Sequence, residues 1–153
     1  SGCHPVGVAD PNRIPNAQMT ASSYYSTGYY PYYGRLNEAR GFGGWCPTTR
    51  QGPRTDYLQV DLGTVHSVCA VATQGASNID ERTTSYILRI SNNGVTWNTY
   101  KEDNAEKVFQ GNTDRHTIVL HALSPAVKAR FVRFYYVSYH NWPAIRVEIY
   151  KYA

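Results

Sequence analysis

YLQVDL, residues 57–62, alternates aliphatic and polar side chains from its second residue onward. Successive side chains of an extended chain point to opposite faces, so the three aliphatic residues share one face and Gln59 and Asp61 share the other. Such alternation is typical of an antiparallel strand with one face in the core and one in water. YILRI (residues 86–90) follows the same pattern.

Four further stretches are also predicted to be strands. IRVEI (145–149) alternates, which predicts that Arg146 and Glu148 face solvent. VCAVAT (68–73) is apolar and rich in β-branched residues, as expected of a strand covered on both faces. The remaining two predicted strands are RHTIVL (115–120) and ARFVRFYYV (129–137).

Turn signals separate these strands. Asn93-Gly94 lies between two strand patterns and predicts a hairpin, because both residues tolerate positive φ. No stretch repeats apolar residues at helical spacing. The sequence therefore predicts a single all-β domain over residues 1–153, a β-sandwich or squat β-barrel of about eight strands.

Composition argues against two classes of function. The net charge of +4 comes from scattered Lys and Arg, and without a basic stripe or tail we expect no nucleic-acid partner. No apolar run approaches the roughly 18 residues of a membrane-spanning helix. Ser1-Gly2 looks like the remnant of an expression tag, and the chain shows no signal-peptide pattern.

The sequence contains no recognisable catalytic constellation. It has neither a G-x-S-x-G elbow nor an H-E-x-x-H motif, and GFGG (41–44) lacks the lysine and the helix of a phosphate-binding loop. The five histidines are scattered without metal-ligand spacing: His4, His66, His116, His121 and His140. We therefore expect a non-enzymatic protein without a cofactor.

Calcium is the metal that the residues leave as an alternative. Asn78, Asp80 and Glu81 lie in one loop and Asn112 and Asp114 in another, and their oxygens are ligands of the kind that calcium prefers. Neither loop has the regular spacing of a dedicated calcium loop, and Asn and Asp more often cap their own turns. The prediction is accordingly no metal, with calcium as the alternative.

Three long segments between strands carry the candidate binding residues. SSYYSTGYYPYYGR (22–35) places six tyrosines within ten positions, among Ser, Thr, Gly and Pro. Tyr supplies contact area at low entropy cost, and with Ser and Gly it forms the composition of antibody combining sites. The other two segments are PTTRQGPRTD (47–56) and GASNIDERTT (75–84). Long loops on a rigid β scaffold are where binding sites usually lie.

We expect about half of these tyrosines to pack on the barrel and the rest to be exposed, as in compact long loops. Arginines of the other two segments would complete a Tyr–Arg surface, the pair enriched at binding hot spots. The candidate ligand-binding residues are Tyr24, Tyr25, Tyr29, Tyr30, Tyr32, Tyr33, Arg50, Arg54, Asp80, Glu81 and Arg82.

The assembled motifs resemble the discoidin domain, the type C module of coagulation factors five and eight. The resemblance runs from Cys3 to Tyr150, and GGWCP followed by YLQVDL and ATQG is especially similar to the collagen-binding discoidin domain receptors. It implies an eight-stranded discoidin-type jelly-roll barrel with ligand-binding loops, called spikes, at one end of an extracellular, non-enzymatic adhesion module. The motifs, in order, are NRIPNAQMTASS (12–23), GGWCP (43–47), DYLQVDLG (56–63), VATQG (71–75), SYILRISNNGVTW (85–97), VFQGNTD (108–114), ARFVRFYYV (129–137) and IRVEIY (145–150).

The resemblance also bears on the three cysteines. Family members commonly join a first cysteine to a last one, but only Cys3 matches, because no cysteine stands near Tyr152. The collagen receptors pair the cysteine of GGWCP with one just before RVE, where this chain has Ala144. The resemblance thus implies that Cys3 is bonded to Cys69 and that Cys46 is free and buried.

The first spike indicates the kind of ligand. Lipid-binding relatives carry Trp, Leu, Met or Phe at spike tips, whereas this chain offers Tyr, whose hydroxyl favours a polar interface. The third segment lacks the Arg-His-Ala-Gly-Gly run of the collagen receptors. We therefore expect a protein or glycan of the matrix or of a neighbouring cell as the ligand. The alternatives are an anionic phospholipid membrane, a carbohydrate-binding accessory role with structural calcium, and a spacer domain without a ligand.

Overall fold

The computed structural model describes residues 2–153, and Ser1, assigned above with Gly2 to a tag remnant, lies outside them. Helices within this range are single 3-10 turns at Asn16–Gln18, Thr27–Tyr29 and Pro31–Tyr33, and no helix there is long and apolar enough to cross a membrane. The strands are β1 (Cys3–Pro5), β2 (Met19–Ala21), β3 (Tyr57–Gln74), β4 (Arg82–Ser91), β5 (Asn98–Thr99), β6 (Lys101–Glu102), β7 (Ala105–Glu106), β8 (Phe109–Gln110), β9 (Val119–His140) and β10 (Arg146–Tyr152).

Eight of these strands form one curled sheet, in which every pair is antiparallel. The order is β1-β10-β3-β9-β4-β5, with β2 added on β3 and β8 added on β4. Strands β6 and β7 pair separately as a small hairpin. The eight-stranded all-β architecture expected from the sequence is confirmed.

The two longest strands place the loops. The first part of β3 (57–61) pairs with the last part of β9 (131–135), and its second part (66–73) pairs with the first part of β9 (119–129). Register shifts interrupt the ladder between Asp61 and His66 and between Val68 and Ala70, and such irregularities bend strands. The bent pair therefore returns on itself, so that both ends of β3 and both ends of β9 lie at the same end of the barrel.

The inner faces of β3 and β4 agree with the alternation in the sequence. Leu58 and Val60 are fully buried, as are Tyr86 and Leu88. On the opposite faces Gln59 is half-buried, but Ile87 is fully buried as well. VCAVAT is buried at every position, as its uninterrupted apolar character predicts. The core cluster that these strands enclose includes Trp45, Leu58, Val60, Tyr86, Leu88, Phe109, Val132, Phe134 and Val147.

The expectation that Arg146 and Glu148 face solvent is wrong: both are buried, together with Val147 and Ile149. Strand β10 lies between β1 and β3, and the Arg146 guanidinium donates hydrogen bonds to the carbonyls of Gly75, Glu38 and Arg115. The Glu148 carboxylate accepts hydrogen bonds from the amides of Val8, Ala9 and Ile149. Polar side chains occupy this face because they satisfy backbone groups that would otherwise be buried without partners.

The hairpin predicted at Asn93-Gly94 is present, since Ile90 of β4 pairs with Asn98 of β5. Of these two turn residues, only Gly94 has a positive φ, at 76°. Asn93 contributes through its side chain, which accepts hydrogen bonds from the amides of Val95 and Thr96. The connection is thus a longer, side-chain-capped turn rather than a two-residue one.

The strand predicted at RHTIVL begins only at Val119. The preceding residues form a turn, because the Asp114 carboxylate accepts hydrogen bonds from the amides of His116 and Thr117 and from the Thr117 hydroxyl. An acidic cap at the start of the stretch therefore outweighs the β propensity of the residues that follow it.

The disulfide implied by the resemblance is present between Cys3 of β1 and Cys69 of β3, with their Cα atoms 6.1 Å apart. It joins two strands that flank β10. Cys46 is free and 1% exposed, and it packs with Ala76 and Ala144. Ala144 stands where the collagen receptors supply a second cysteine, so its contact with Cys46 retains that packing without the bond.

Candidate ligand-binding site

Three connections meet at the loop end of the barrel. They are residues 22–56 between β2 and β3, residues 75–81 between β3 and β4, and residues 141–145 between β9 and β10. Trp45 and Ile145 exchange backbone hydrogen bonds, and the Ser77 amide donates to the Gly43 carbonyl. Because backbone hydrogen bonds join the three connections, their side chains are held close together in fixed relative positions.

The tyrosine-rich segment folds as two consecutive 3-10 turns. Ser26 caps the first turn by accepting a hydrogen bond from the Gly28 amide, and Pro31 begins the second. A Cβ at Gly28 would come within 2.6 Å of the Phe42 ring, so the absence of a side chain there lets Phe42 lie against the turn. The tyrosine rings of this segment contact one another in two groups, Tyr25 with Tyr29, and Tyr30 with Tyr24, Tyr32 and Tyr33.

A pocket of about 260 Å³ opens between the three connections. Tyr29 and Cys46 are buried at its base, while Tyr25 and Phe42 are exposed at its rim. Its complete lining is Tyr25, Tyr29, Phe42, Cys46, Ile79, Glu81 and Trp142.

The four aromatic rings of the pocket are set at contrasting angles. Tyr29 and Phe42 stack at 4.7 Å with an interplanar angle of 18°. Tyr25 is nearly perpendicular to Tyr29, at 84° and 5.8 Å, and steeply inclined to Trp142, at 72° and 5.1 Å. Edge-to-face and offset-stacked arrangements are the favourable ones for aromatic pairs, so the rings stabilise one another's positions.

Glu81 places a carboxylate in this aromatic lining. The Tyr29 hydroxyl donates a 2.8 Å hydrogen bond to its Oε1 atom. Burial raises the pKa of Glu81 above its ordinary value, and burial followed by the neighbouring Glu81 raises the pKa of the Tyr29 hydroxyl. Burial likewise raises the pKa of the Cys46 thiol, so this thiol is an inert packing group at the base of the pocket.

Arg50 lies over Trp142 at the edge of the pocket. Its guanidinium carbon is 4.7 Å from the centre of the Trp142 ring, and it donates a 2.8 Å hydrogen bond to the Asn141 carbonyl. The Trp142 indole N–H donates to the Pro47 carbonyl at 2.9 Å. A cation–π contact and two backbone hydrogen bonds therefore fix the third connection against the first.

Asp80 and Arg82, the chain neighbours of Glu81, form a polar group with His140. Asp80 accepts hydrogen bonds from Arg82 at 2.8 Å and shares a 3.0 Å hydrogen bond with His140. The bond with His140, followed by that with Arg82, lowers the pKa of the Asp80 carboxyl. The Asn141 amide also donates to the Asp80 carbonyl, so this group joins the second and third connections.

The structure divides the predicted site residues into two clusters and one outlier. Tyr25, Tyr29 and Glu81 line the pocket, with Arg50 at its edge and Asp80 and Arg82 in the adjoining polar group. The other four tyrosines, Tyr24, Tyr30, Tyr32 and Tyr33, form a second cluster, which we call the tyrosine ladder, with adjacent ring centres 5.1–5.6 Å apart. Tyr24 is exposed and the other three are half-buried.

Arg54 is the outlier among the predicted residues. It forms an ion pair with Glu106 of β7, at 2.9 Å, and its amide donates to the Tyr136 carbonyl. It therefore attaches the β2–β3 connection to the small hairpin and is absent from the pocket lining.

The sequence-based site prediction missed four of the seven lining residues, Phe42, Cys46, Ile79 and Trp142. Trp142 lies in HNWPA (140–144), where a large apolar residue outside any alternating pattern was the available signal. Phe42 lies among glycines in GFGG, which gives the same signal. An aromatic residue isolated in a turn needs a packing partner, and here that partner is supplied by another loop.

The residues considered for calcium make loop hydrogen bonds. The Asn78 amide donates to the carbonyls of Ala39 and Gly41, and Asn112 is buried against Thr73 and Thr117. Asp114 caps its own turn, as described above. Among residues 2–153 the structure has no group of three or more acidic, His or Cys side chains placed to hold a metal ion.

A rigid all-β barrel that holds an aromatic pocket between three loops at one end has the architecture of a binding module. A family model for the F5/8 type C domain matches residues 18–149, and the chain belongs to this family, whose members are binding modules. The discoidin resemblance drawn from the sequence motifs is thereby confirmed.

Among curated proteins, lactadherin of Bos taurus is 37% identical over 160 residues, which cover 97% of this chain and 37% of lactadherin. The chain thus spans little more than a third of this relative. Discoidin II of Dictyostelium discoideum superposes with a TM-score of 0.84 at 23% identity, covering 97% of this chain and 59% of discoidin II. A family 32 carbohydrate-binding module of C. perfringens NanJ, solved with galactose, gives 0.64 at 17% identity and covers 90% of this chain and 97% of that module. At these identities the two structures establish the fold alone.

Proposed function

We propose that this chain is an extracellular recognition module that binds a protein or glycan of the matrix or of a cell surface through its loop end. The observation that carries the proposal is the pocket of four aromatic rings and one carboxylate, built from three connections on a rigid barrel. Aromatic side chains in preformed pockets supply most of the binding energy in many interfaces at little entropic cost.

Three further observations support this role. The exposed tyrosines and Phe42 extend the pocket into a wider aromatic surface, and exposed apolar patches on soluble domains mark interaction sites. The Cys3–Cys69 disulfide is of the kind that persists in oxidising extracellular compartments. The family is one of binding modules, and the NanJ module, which has the same fold, was solved in complex with galactose.

A glycan array and a collagen-peptide array, run on the same preparation, test the proposal. We expect a hit that Tyr25→Ala abolishes, because Tyr25 is exposed at the pocket rim and its removal leaves the core intact. Tyr152→Ala is the matched control, since Tyr152 is similarly exposed at the far end of β10. A hit that survives Tyr25→Ala and Trp142→Ala in folded protein would place the binding site elsewhere.

A membrane surface is the second candidate ligand. Phe42, Tyr24 and Tyr25 are exposed at the loop end beside the exposed side chains of Arg40 and Arg50. This combination of apolar tips and cations suits an anionic bilayer. Sedimentation with phosphatidylserine vesicles should then decrease as salt is added, because screening weakens attraction between exposed charges. Absence of sedimentation at low salt would eliminate this candidate.

A further inference from the structure

The pocket offers a ligand almost no free hydrogen-bonding groups. The Tyr29 hydroxyl is committed to Glu81, and the Trp142 N–H is committed to the Pro47 carbonyl. Phe42 and Ile79 are apolar, and Cys46 is a buried thiol. What is left for a ligand is the Glu81 carboxylate, a hydroxyl at the rim on Tyr25, and the aromatic surface itself.

This inventory discriminates between ligand chemistries. A hexose carries hydroxyls on every side and needs several donors and acceptors around it. An anion would meet the Glu81 carboxylate. A neutral apolar group would leave that carboxylate partly desolvated without compensation, which is costly. A cation, in contrast, is attracted both by the carboxylate and by the faces of aromatic rings.

The carboxylate geometry narrows the kind of cation. A guanidinium carries five N–H donors, and two parallel hydrogen bonds to the Glu81 carboxylate would leave the other three without acceptors in this lining. A primary ammonium carries three N–H donors that all need acceptors. A methylated ammonium has little or no hydrogen-bonding demand, and it needs only aromatic contacts and an opposite charge nearby.

We infer that the pocket binds a methylated ammonium group, such as the trimethylammonium of choline and its derivatives. Tyr25, Tyr29, Phe42 and Trp142 act as an aromatic cage, and Glu81 supplies the countercharge. The volume of about 260 Å³ lies below the ~300–1,000 Å³ of pockets that enclose whole drug-sized ligands, so a terminal group is the expected occupant. The inference rests on the proposed function, since it names the chemistry that the same pocket recognises.

The neighbouring charges are compatible with this assignment. Arg82 and His140 are both engaged by Asp80, which leaves Glu81 as the charge in the lining. Arg50 lies over Trp142, and this contact shows that the indole already attracts one cation. The pocket cation would therefore share the aromatic group with Arg50, which limits the affinity for an isolated ammonium.

Choline chloride and its neutral carbon isostere, 3,3-dimethyl-1-butanol, provide a matched pair of probes that differ in charge at constant shape. We expect saturable binding of choline by isothermal titration or NMR, with a millimolar or lower dissociation constant, and binding of the neutral probe weaker by about tenfold or more. Glu81→Gln keeps an oxygen that accepts the Tyr29 hydroxyl and should weaken choline binding by about tenfold. Glu106→Gln, the same substitution on an exposed carboxylate outside the pocket, should leave it unchanged.

The outcomes separate this inference from the proposed function. Equal affinity for the two probes, or unchanged choline binding in folded Glu81→Gln protein, would overturn the ammonium assignment. Tyr25-dependent binding of galactose without binding of choline would overturn it too, while leaving the recognition module in place. Choline binding without any array hit would support the ammonium pocket and count against a matrix protein or glycan as the ligand.

Discussion

The Tyr29 hydroxyl donates a 2.8 Å hydrogen bond to Oε1 of Glu81, across 52 residues of sequence. This bond joins the tyrosine-rich connection to the β3–β4 connection at the base of the pocket. It also holds the Glu81 carboxylate beside four aromatic rings, where a free side chain would turn toward water.

Tyr29→Phe should lower the free energy of unfolding by about 1–2 kcal/mol, because a half-buried carboxylate loses its donor. The Tyr29 hydrogen bond lowers the pKa of Glu81 against the effect of burial, so the same variant should raise that pKa further. Urea unfolding and NMR titration of the carboxyl measure the two effects. Tyr25→Phe is the control, and equal effects of the two substitutions would contradict the role assigned to the bond.

Glu81→Gln should change how stability depends on pH. Burial raises the folded-state pKa of Glu81 above its ordinary 4.5, so the stability it contributes is present at low pH and is lost as the pH rises through the raised value. Because Gln does not titrate, Glu81→Gln should gain stability relative to the wild type as the pH rises from about 4.5 through the raised pKa. Unfolding curves across that range measure the difference.

Glu102→Gln gives the opposite sign and serves as the comparison. The hydrogen bond from Tyr100 is the main cause that lowers the pKa of Glu102. The stability that the ionised Glu102 carboxylate contributes is present at neutral pH and is lost on acidification. The difference in stability between the wild type and Glu102→Gln should therefore grow in favour of the wild type as the pH rises. If the stabilities of the two variants changed with pH in the same way, these local environments would not control the pKa values of the two carboxyl groups.

Removing the disulfide should destabilise the protein strongly. The bond closes a segment of 66 residues in sequence, and chain entropy over such a loop amounts to about 4 kcal/mol. The double variant Cys3→Ala, Cys69→Ala should therefore show a much lower melting temperature. In the wild type, a thiol reagent should label no cysteine in the native state and one, Cys46, after unfolding, since that thiol is buried. Labelling of native protein would contradict this.

Arg146→Met should destabilise the loop end. The buried guanidinium donates to the carbonyls of Gly75, Glu38 and Arg115, which belong to three different connections. Burial lowers its pKa to about 10, so it stays charged at neutral pH. Loss of three donors should cost about 3 kcal/mol or more.

Hydrogen exchange should show where the Arg146→Met effect is located. We expect faster exchange in the connections that contain Glu38, Gly75 and Arg115 than in the sheet. Arg40→Met is the control, because Arg40 is exposed and its ion pair with Glu38 should contribute about 1 kcal/mol or less. Similar destabilisation by both substitutions would indicate that Arg146 does not tie the connections together.

Local patterns succeeded where one strand face is exposed and failed where it is covered. YLQVDL identified its inner face because alternation reports which side of a strand meets water, whereas in YILRI Ile87 of the opposite face is buried as well. IRVEI alternates in the same way, yet Arg146 and Glu148 are buried by chain segments that lie more than 25 residues away in sequence. No property of the five residues distinguishes a polar side chain that faces water from one that satisfies buried backbone groups.

The candidate site was predicted in part for a similar reason. Composition drew attention to Tyr25, Tyr29 and Glu81, which lie together in the pocket. It could not separate them from the tyrosine ladder, because membership of the pocket depends on contacts with rings that come later in the chain, those of Phe42 and Trp142. Trp142 was missed because its partners, Tyr25 and Arg50, are about a hundred residues away.

The sequence by itself determined the strands, most of their inner faces, the long connections and, through its motifs, the family and the Cys3–Cys69 bond. These depend on local periodicity, turn chemistry and motif order, which are written along the chain. The tertiary structure alone decided which side chains form the pocket. That choice follows from the bend of β3 and β9, which brings residues 25, 81 and 142 to one end of the barrel, and a bend is set by long-range pairing rather than by any short stretch.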